Sequence, residues 1–164
     1  APFQTYPNGL DLSVLPLESL ADLYCLVVRT GEGKKGEGRK GERAIDSLPF
    51  PDAEVGGKAV LFHTGWDRRW RTDRYFEGHP YLSGALAQRL ADAGAVLVGI
   101  DSYNIDCTDD GNRPVHSTLL SREIPIAEHL TNLAAVPERG SRFFAVPVKV
   151  KGFGTFPVRA FVLD

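Results

Sequence analysis

The sequence predicts a mixed α/β domain. Three apolar runs of strand length, 24–29 (YCLVVR), 59–63 (AVLFH) and 95–101 (AVLVGID), are interleaved with one amphipathic helical pattern. Two further strand-like runs close the chain, and this order of strands and helices is that of a mixed α/β fold.

Residues 10–22, LDLSVLPLESLAD, read as a loop followed by a short helix begun near Pro16. The first strand follows at 24–29. The segment 31–43 repeats GEGKK, GEGRK and GER; so much Gly and Lys/Arg cannot bury a face, so a mobile, solvated loop is expected. A basic run could touch phosphate, but the solvated reading is preferred. After the strand at 59–63 comes a long aromatic and charged segment, HTGWDRRWRTDRYFEGHP. Pro80 is expected to open a helix with Leu82, Leu86 and Leu90 on one face and Gly94 at the C′ position. The strand 95–101 ends in Asp101 and runs into the polar loop SYNIDCTDDGNRP. His116 and Glu128 then fall on short helical pieces separated by Pro125. The tail reads as two strands, RFFAVPVKVKG and FPVRAFVL, joined through Gly152-Phe153-Gly154.

The totals bound the function. At 164 residues, 43% apolar and 24% charged, the chain suits one globular domain spanning 1–164, with no internal boundary visible. A net charge of −2 gives no field toward nucleic acid or membrane, and no apolar run reaches the ~20 residues of a membrane helix. The start, APFQTYPNG, is not a signal peptide, and Cys25 and Cys107 cannot make a disulfide scaffold, so a reducing cytoplasm is the expected location. Methionine is absent and the first residues read as mid-motif, so a further N-terminal segment is expected before Ala1.

Several chemistries lack their motif. GEGKKGEG has no GK[ST] ending, no GxSxG elbow occurs, and AVLVGID has no glycine-rich turn after it. His63, His79 and His129, taken singly, read as packed or surface residues. His116 and Glu128, twelve positions apart in RPVHSTLLSREIPIAEHL, differ in their surroundings. Ile124-Pro125-Ile126-Ala127 should carry Glu128 inward, where a carboxylate needs a cation or a donor. A zinc or manganese ion would serve both side chains, while two ordinary packed residues remain the alternative.

Five blocks, APFQTYPNGLDLSVLPLESL, AVLFHTGWDRRW, HPYLSGALAQRLADAGAVLVGIDSYNID, RPVHSTLLSREIPIAEHLTNL and AVPVKVKGFGTFPVRAFVLD, together resemble the cyclase family of metal-dependent hydrolases, which includes bacterial kynurenine formamidase and isatin hydrolase. The resemblance implies the swivelling β/β/α fold, a mixed sheet or barrel with flanking helices. It implies that His116 and Glu128 are ligands of a divalent metal, Zn or Mn. The family's signature is HxGTHxDxPxH, and Ala1-Pro2-Phe3-Gln4 looks like its end. Three ligand positions would then precede Ala1, and Gln4 stands at the position of the family's last, catalytic His. Glutamine carries no titratable proton, so it could orient water or a carbonyl but not act as a general base.

The implied reaction is hydrolysis of an amide by metal-bound hydroxide, on an N-formyl aromatic amine such as N-formylkynurenine or on a cyclic amide. Phe3, Trp66, Trp70 and Tyr75 are candidates to pack against an aromatic substrate, with core or interface roles as the alternative. Asp101 could orient a ligand imidazole or cap a turn. The partners implied are a small-molecule substrate and further copies of the chain, as homodimer or homotetramer, with no nucleic acid or membrane. A catalytically drifted member that binds a small aromatic or carboxylate ligand is the alternative, and an interaction module using the basic loop at 31–43 is a third reading.

Overall fold

The computed structural model describes residues 1–31, 40–109 and 111–164, with the backbone alone at residues 3, 40 and 41. In chain order the elements are β1 (Leu23–Arg29), β2 (Ala44–Ile45), α1 (Asp52–Val55), β3 (Ala59–His63), β4 (Tyr81–Leu82), α2 (Gly84–Asp92), β5 (Leu97–Ile100), α3 (Pro114–Ser121), β6 (Ile126–Ala127), β7 (Arg142–Phe144) and β8 (Phe161–Leu163), linked by loops and short 3₁₀ turns. The six longer-range strands form one curled, half-barrel sheet in the order β6-β5-β3-β1-β7-β8. From β6 to β1 the pairs are parallel; β7 and β8 add antiparallel. β2 and β4 pair separately in parallel.

The apolar runs are continuous because both faces of the parallel strands are covered. Alternate residues point to opposite sides. Leu26, Val28, Val60, Phe62, Val98 and Ile100 face α2 and α3 in one core. Cys25, Val27, Ala59, Leu61, Leu97 and Phe143 face Leu130 and Leu133 in a second. Each large side chain so buried contributes about 1.5–3 kcal/mol. Cys25 and Cys107 are both free and buried, Cys107 despite its polar neighbours.

Several elements differ from the sequence expectations. The helix begins at Gly84 rather than at Pro80, because the Ser83 side chain accepts the Leu86 N–H as its cap and Tyr81–Leu82 is drawn into pairing with β2. Gly94 does end it, at φ +81°. Glu128 follows a strand, β6, not a helix, since Ile126–Ala127 pairs in register with Val98–Gly99. The tail strands shrink to three residues each, leaving Val148, Phe153, Phe156 and Val158 exposed in irregular chain. Of the expected loop at 31–43, residues 32–39 lie outside the described residues. Arg43 at its end is buried, donating to the His79 carbonyl at 3.3 Å and pairing with Asp109. Among the described residues no helix is long and apolar enough to cross a membrane.

The parallel strands β3, β5 and β6 end in His63, Ile100 and Ala127, so Thr64, Asp101 and Glu128 emerge at one edge of the sheet. Ligands of open α/β sheets bind at this edge, outside the carboxyl ends of the strands.

Candidate functional site

The first turn of a helix has N–H groups without partners inside the helix, and α3 meets this with a side chain from the preceding loop. Its N-cap residue, Arg113, supplies no side-chain cap. Instead Asp106 accepts the Val115 N–H at 2.8 Å through Oδ1 and the His116 N–H at 3.0 Å through Oδ2. The same Oδ2 lies 2.6 Å from His116 Nδ1. One buried carboxylate thus caps the helix and fixes an imidazole that is itself fully buried.

The other ring nitrogen settles the tautomer. Arg113 Nη2 lies 2.9 Å from His116 Nε2, and a guanidinium only donates. Nε2 therefore accepts, and Nδ1 carries the hydrogen given to Asp106. A carboxylate behind Nδ1 with the lone pair on Nε2 is the arrangement of metal-ligating imidazoles, although here the Arg113 guanidinium takes that lone pair. Glu128 Oε1 stands 3.8 Å from Nε2 and accepts the Ile105 N–H at 2.8 Å, so its half-buried carboxylate does have a donor. Two ligands on one tetrahedral zinc sit ~3.4 Å apart, so this separation is a few tenths of an ångström wide of a shared ion. His116 and Glu128 fit as two ligands of one cation. Among the described residues no group of three or more His, Cys, Asp or Glu is placed to hold a metal ion.

Gln4, Trp70, His116, Glu128, His129 and Phe156 line one cavity of about 1210 Å³, backed by Leu97, Leu130 and Phe143 of the second core. Gln4 is set there from two directions. The Tyr6 hydroxyl donates to the Ser117 carbonyl of α3 at 2.9 Å. The tail turn 152–154 is tied to the N-terminal segment, with Gly152 N–H donating to Asp11 at 2.7 Å and Leu12 N–H to the Phe153 carbonyl at 3.0 Å. The Gly152 bond is the main reason the Asp11 carboxyl lies below its ordinary pKa. A Cβ on Gly154 would sit 2.5 Å from Gln4 N and 2.6 Å from its Cα, which are backbone atoms with little room to yield. Gly154→Ala is expected to cost about 1–3 kcal/mol in denaturant unfolding as the tail and Gln4 are forced apart.

The remaining expected site residues are placed differently. Asp101 does not reach His116. It accepts the Thr64 and Gly65 N–H groups at 2.9 and 2.8 Å and the Thr64 hydroxyl at 2.5 Å, strapping the turn after β3, which is the capping alternative. Burial raises its pKa against the pull of these bonds. Trp66 is buried, its Nε1 donating to the Tyr75 carbonyl at 2.9 Å and Arg69 covering its ring. Tyr75 is buried as well, and burial drives its phenol pKa upward. Its hydroxyl lies 2.9 Å from His129 Nδ1. The Phe3 side chain lies outside the described residues. Of the four aromatic candidates, Trp70 lines the cavity, 47% exposed, edge-on to Tyr75 at 4.9 Å and 6.0 Å from the His129 ring.

Asp106 and Arg113 carry no expectation from sequence. Asp106 is one of several carboxylates in SYNIDCTDDGNRP, and only the fold shows which one meets the start of α3. Arg113 had a legible signal, since a residue three before a helical His shares its face.

The family described as "Putative cyclase" matches residues 1–107. The kynurenine formamidase of Paracidovorax citrulli (strain AAC00-1) is 40% identical over 160 residues, covering 98% of this chain and 71% of that protein. A solved structure reported as a potential metal-dependent hydrolase with cyclase activity aligns at TM-score 0.72 and 26% identity, covering 99% of this chain and 73% of the other. An isatin hydrolase bound to the product analogue thioisatinate aligns at TM-score 0.78 over all of this chain and 69% of its own; at 18% identity that likeness is one of fold.

Proposed function

The chain belongs to the cyclase family, and from that premise we propose that it is a metal-dependent hydrolase of an amide attached to an aromatic ring, either an N-formyl aromatic amine such as N-formylkynurenine or a cyclic amide. The observation that carries this reading is the convergence of His116 Nε2 and Glu128 Oε1 at 3.8 Å, with Asp106 behind the imidazole. The kynurenine formamidase relative and the metal-dependent hydrolase neighbour support it.

A divalent cation, zinc or manganese, held by His116 and Glu128 would supply Lewis acidity and a water with its pKa lowered toward ~7. The chain's own groups do the rest. Asp106 holds the His116 ring in one tautomer and one orientation. Gln4, on the same cavity, can donate to a substrate carbonyl or accept from a water, but it cannot carry a proton. Trp70 and the apolar wall give a flat ring a surface and exclude water from the scissile bond.

Protein stripped by chelator and then reloaded with zinc or manganese is expected to hydrolyse N-formylkynurenine, and the stripped protein is not. Trp70→Ala should raise KM for aryl formamides about tenfold, roughly 1.4 kcal/mol, and leave an alkyl formamide unchanged. Equal loss on both substrates would remove Trp70 from the aromatic subsite. Gln4 favours a second reading, a ligand-binding protein that has lost the chemistry. An aryl amine that quenches Trp70 fluorescence without any turnover in either metal would establish that one.

A further inference from the structure

We propose that Arg113 is a built-in competitor for the cation site: its guanidinium occupies the His116 Nε2 lone pair and must leave it before the imidazole can bind a metal. The inference rests on the reading of His116 as a ligand. Arg113 is the residue immediately before Pro114, the first residue of α3, with φ −124° and ψ 64°. Proline restricts the backbone of the residue before it, and a side chain three positions ahead of a helical residue reaches the same face. The guanidinium is thereby delivered to His116 at 2.9 Å.

The competition is exclusive. Nδ1 is committed to Asp106 at 2.6 Å, so His116 has one lone pair left. That pair accepts a hydrogen bond or binds a cation, not both. A guanidinium held beside the site would also repel an arriving cation. The displaced side chain has somewhere to go. Arg113 borders a second cavity of about 660 Å³ beside the start of α2 and α3, lined also by Asp106, Cys107, Asn112 and Ser117. It is exposed, so leaving His116 strips it of little packing.

The test is zinc titration of chelator-stripped protein against a chromophoric zinc chelator, for wild type, Arg113→Met, Arg113→Gln, His116→Ala and the Arg113→Met/His116→Ala double variant. Breaking one hydrogen bond and removing one nearby charge should make both Arg113 variants bind zinc about five- to tenfold more tightly. His116→Ala and the double variant should both bind zinc too weakly to compete with the chelator, so removing Arg113 does not rescue a site that lacks the imidazole. Thermal melts of the stripped proteins identify any variant that fails to fold, and two different replacements keep the comparison available. If wild type takes up zinc through His116 and both Arg113 variants bind equally or more weakly, the competitor role is overturned and the metal reading stands. If no zinc uptake depends on His116 in any of the proteins, the metal reading fails and takes the competitor role with it.

Discussion

His116→Ala is expected to abolish uptake of zinc or manganese and, in the proposed reaction, to lower kcat/KM for the amide substrate by on the order of 10³ or more, while the sheet stays folded. The size follows from what the side chain does in the proposed reaction. Losing a ligand removes several kcal/mol of charge stabilisation at the reacting carbonyl, and each 1.36 kcal/mol is tenfold in rate. The fold survives because the core facing α3 is anchored by Val115, Leu119 and Ile124, which the substitution leaves in place. The imidazole is nonetheless fully buried, and Asp106 loses one of its three donors. The stability cost should be about 2–3 kcal/mol. Metal analysis after dialysis, a denaturant titration and initial rates read the three effects separately. A His116→Ala protein that keeps its metal and turns substrate over at more than a tenth of the wild-type rate would refute the site.

The central strands were legible because both of their faces are covered. The 59–63 run is buried at every residue, and no helical period competes with it. The errors lie where tertiary pairing overrode local signals. Pro80 is a good helix opener, yet Tyr81–Leu82 pairs with Ala44–Ile45, and this pairing costs the helix its first turn. The tail failed for the opposite reason. Its apolar residues alternate as strands do, but only Arg142–Phe144 and Phe161–Leu163 find partners, and an unpaired run has no ladder to join.

The site was legible in part for a related reason. A His and a Glu twelve residues apart, on the two sides of Pro125, meet only because β6 adds in parallel beside β5 and so places Glu128 at the carboxyl edge of the sheet. No periodicity encodes that. Aromatic residues were the least legible. Trp66 and Trp70 are four apart, yet Trp66 is capped by Arg69 and buried, while Trp70 opens on the cavity. Trp66–Arg69 is a 3₁₀ turn with three residues per turn, so a residue four on lies about 120° around from the first and not, as in an α-helix, on the same side.

Asp106→Asn is expected to weaken metal binding sharply through the hydrogen bond behind His116. The carboxylate accepts three donors: the N–H groups of Val115 and His116, and His116 Nδ1. An amide has one oxygen. If the oxygen stays toward His116, the new NH₂ is forced against the Val115 N–H in a buried setting, and an unpaired donor there costs about 1–3 kcal/mol. The loss of negative charge at the helix start adds about 0.3–1 kcal/mol. If the amide turns the other way, its NH₂ donates to Nδ1, the hydrogen moves to Nε2, and the lone pair facing Glu128 is gone. In the first orientation a neutral amide oxygen holds the imidazole more weakly than the carboxylate did, and in the second the ring presents the wrong tautomer to a cation. Zinc affinity should fall about 10–100-fold, the usual effect of losing an orienting carboxylate. Asp101→Asn is the control. That carboxylate bonds Thr64 and Gly65, so its replacement should lower the melting temperature yet leave zinc affinity where it was. Equal losses of zinc affinity in the two variants would mean that general loosening of the sheet edge, and not the hydrogen bond behind His116, sets the metal affinity.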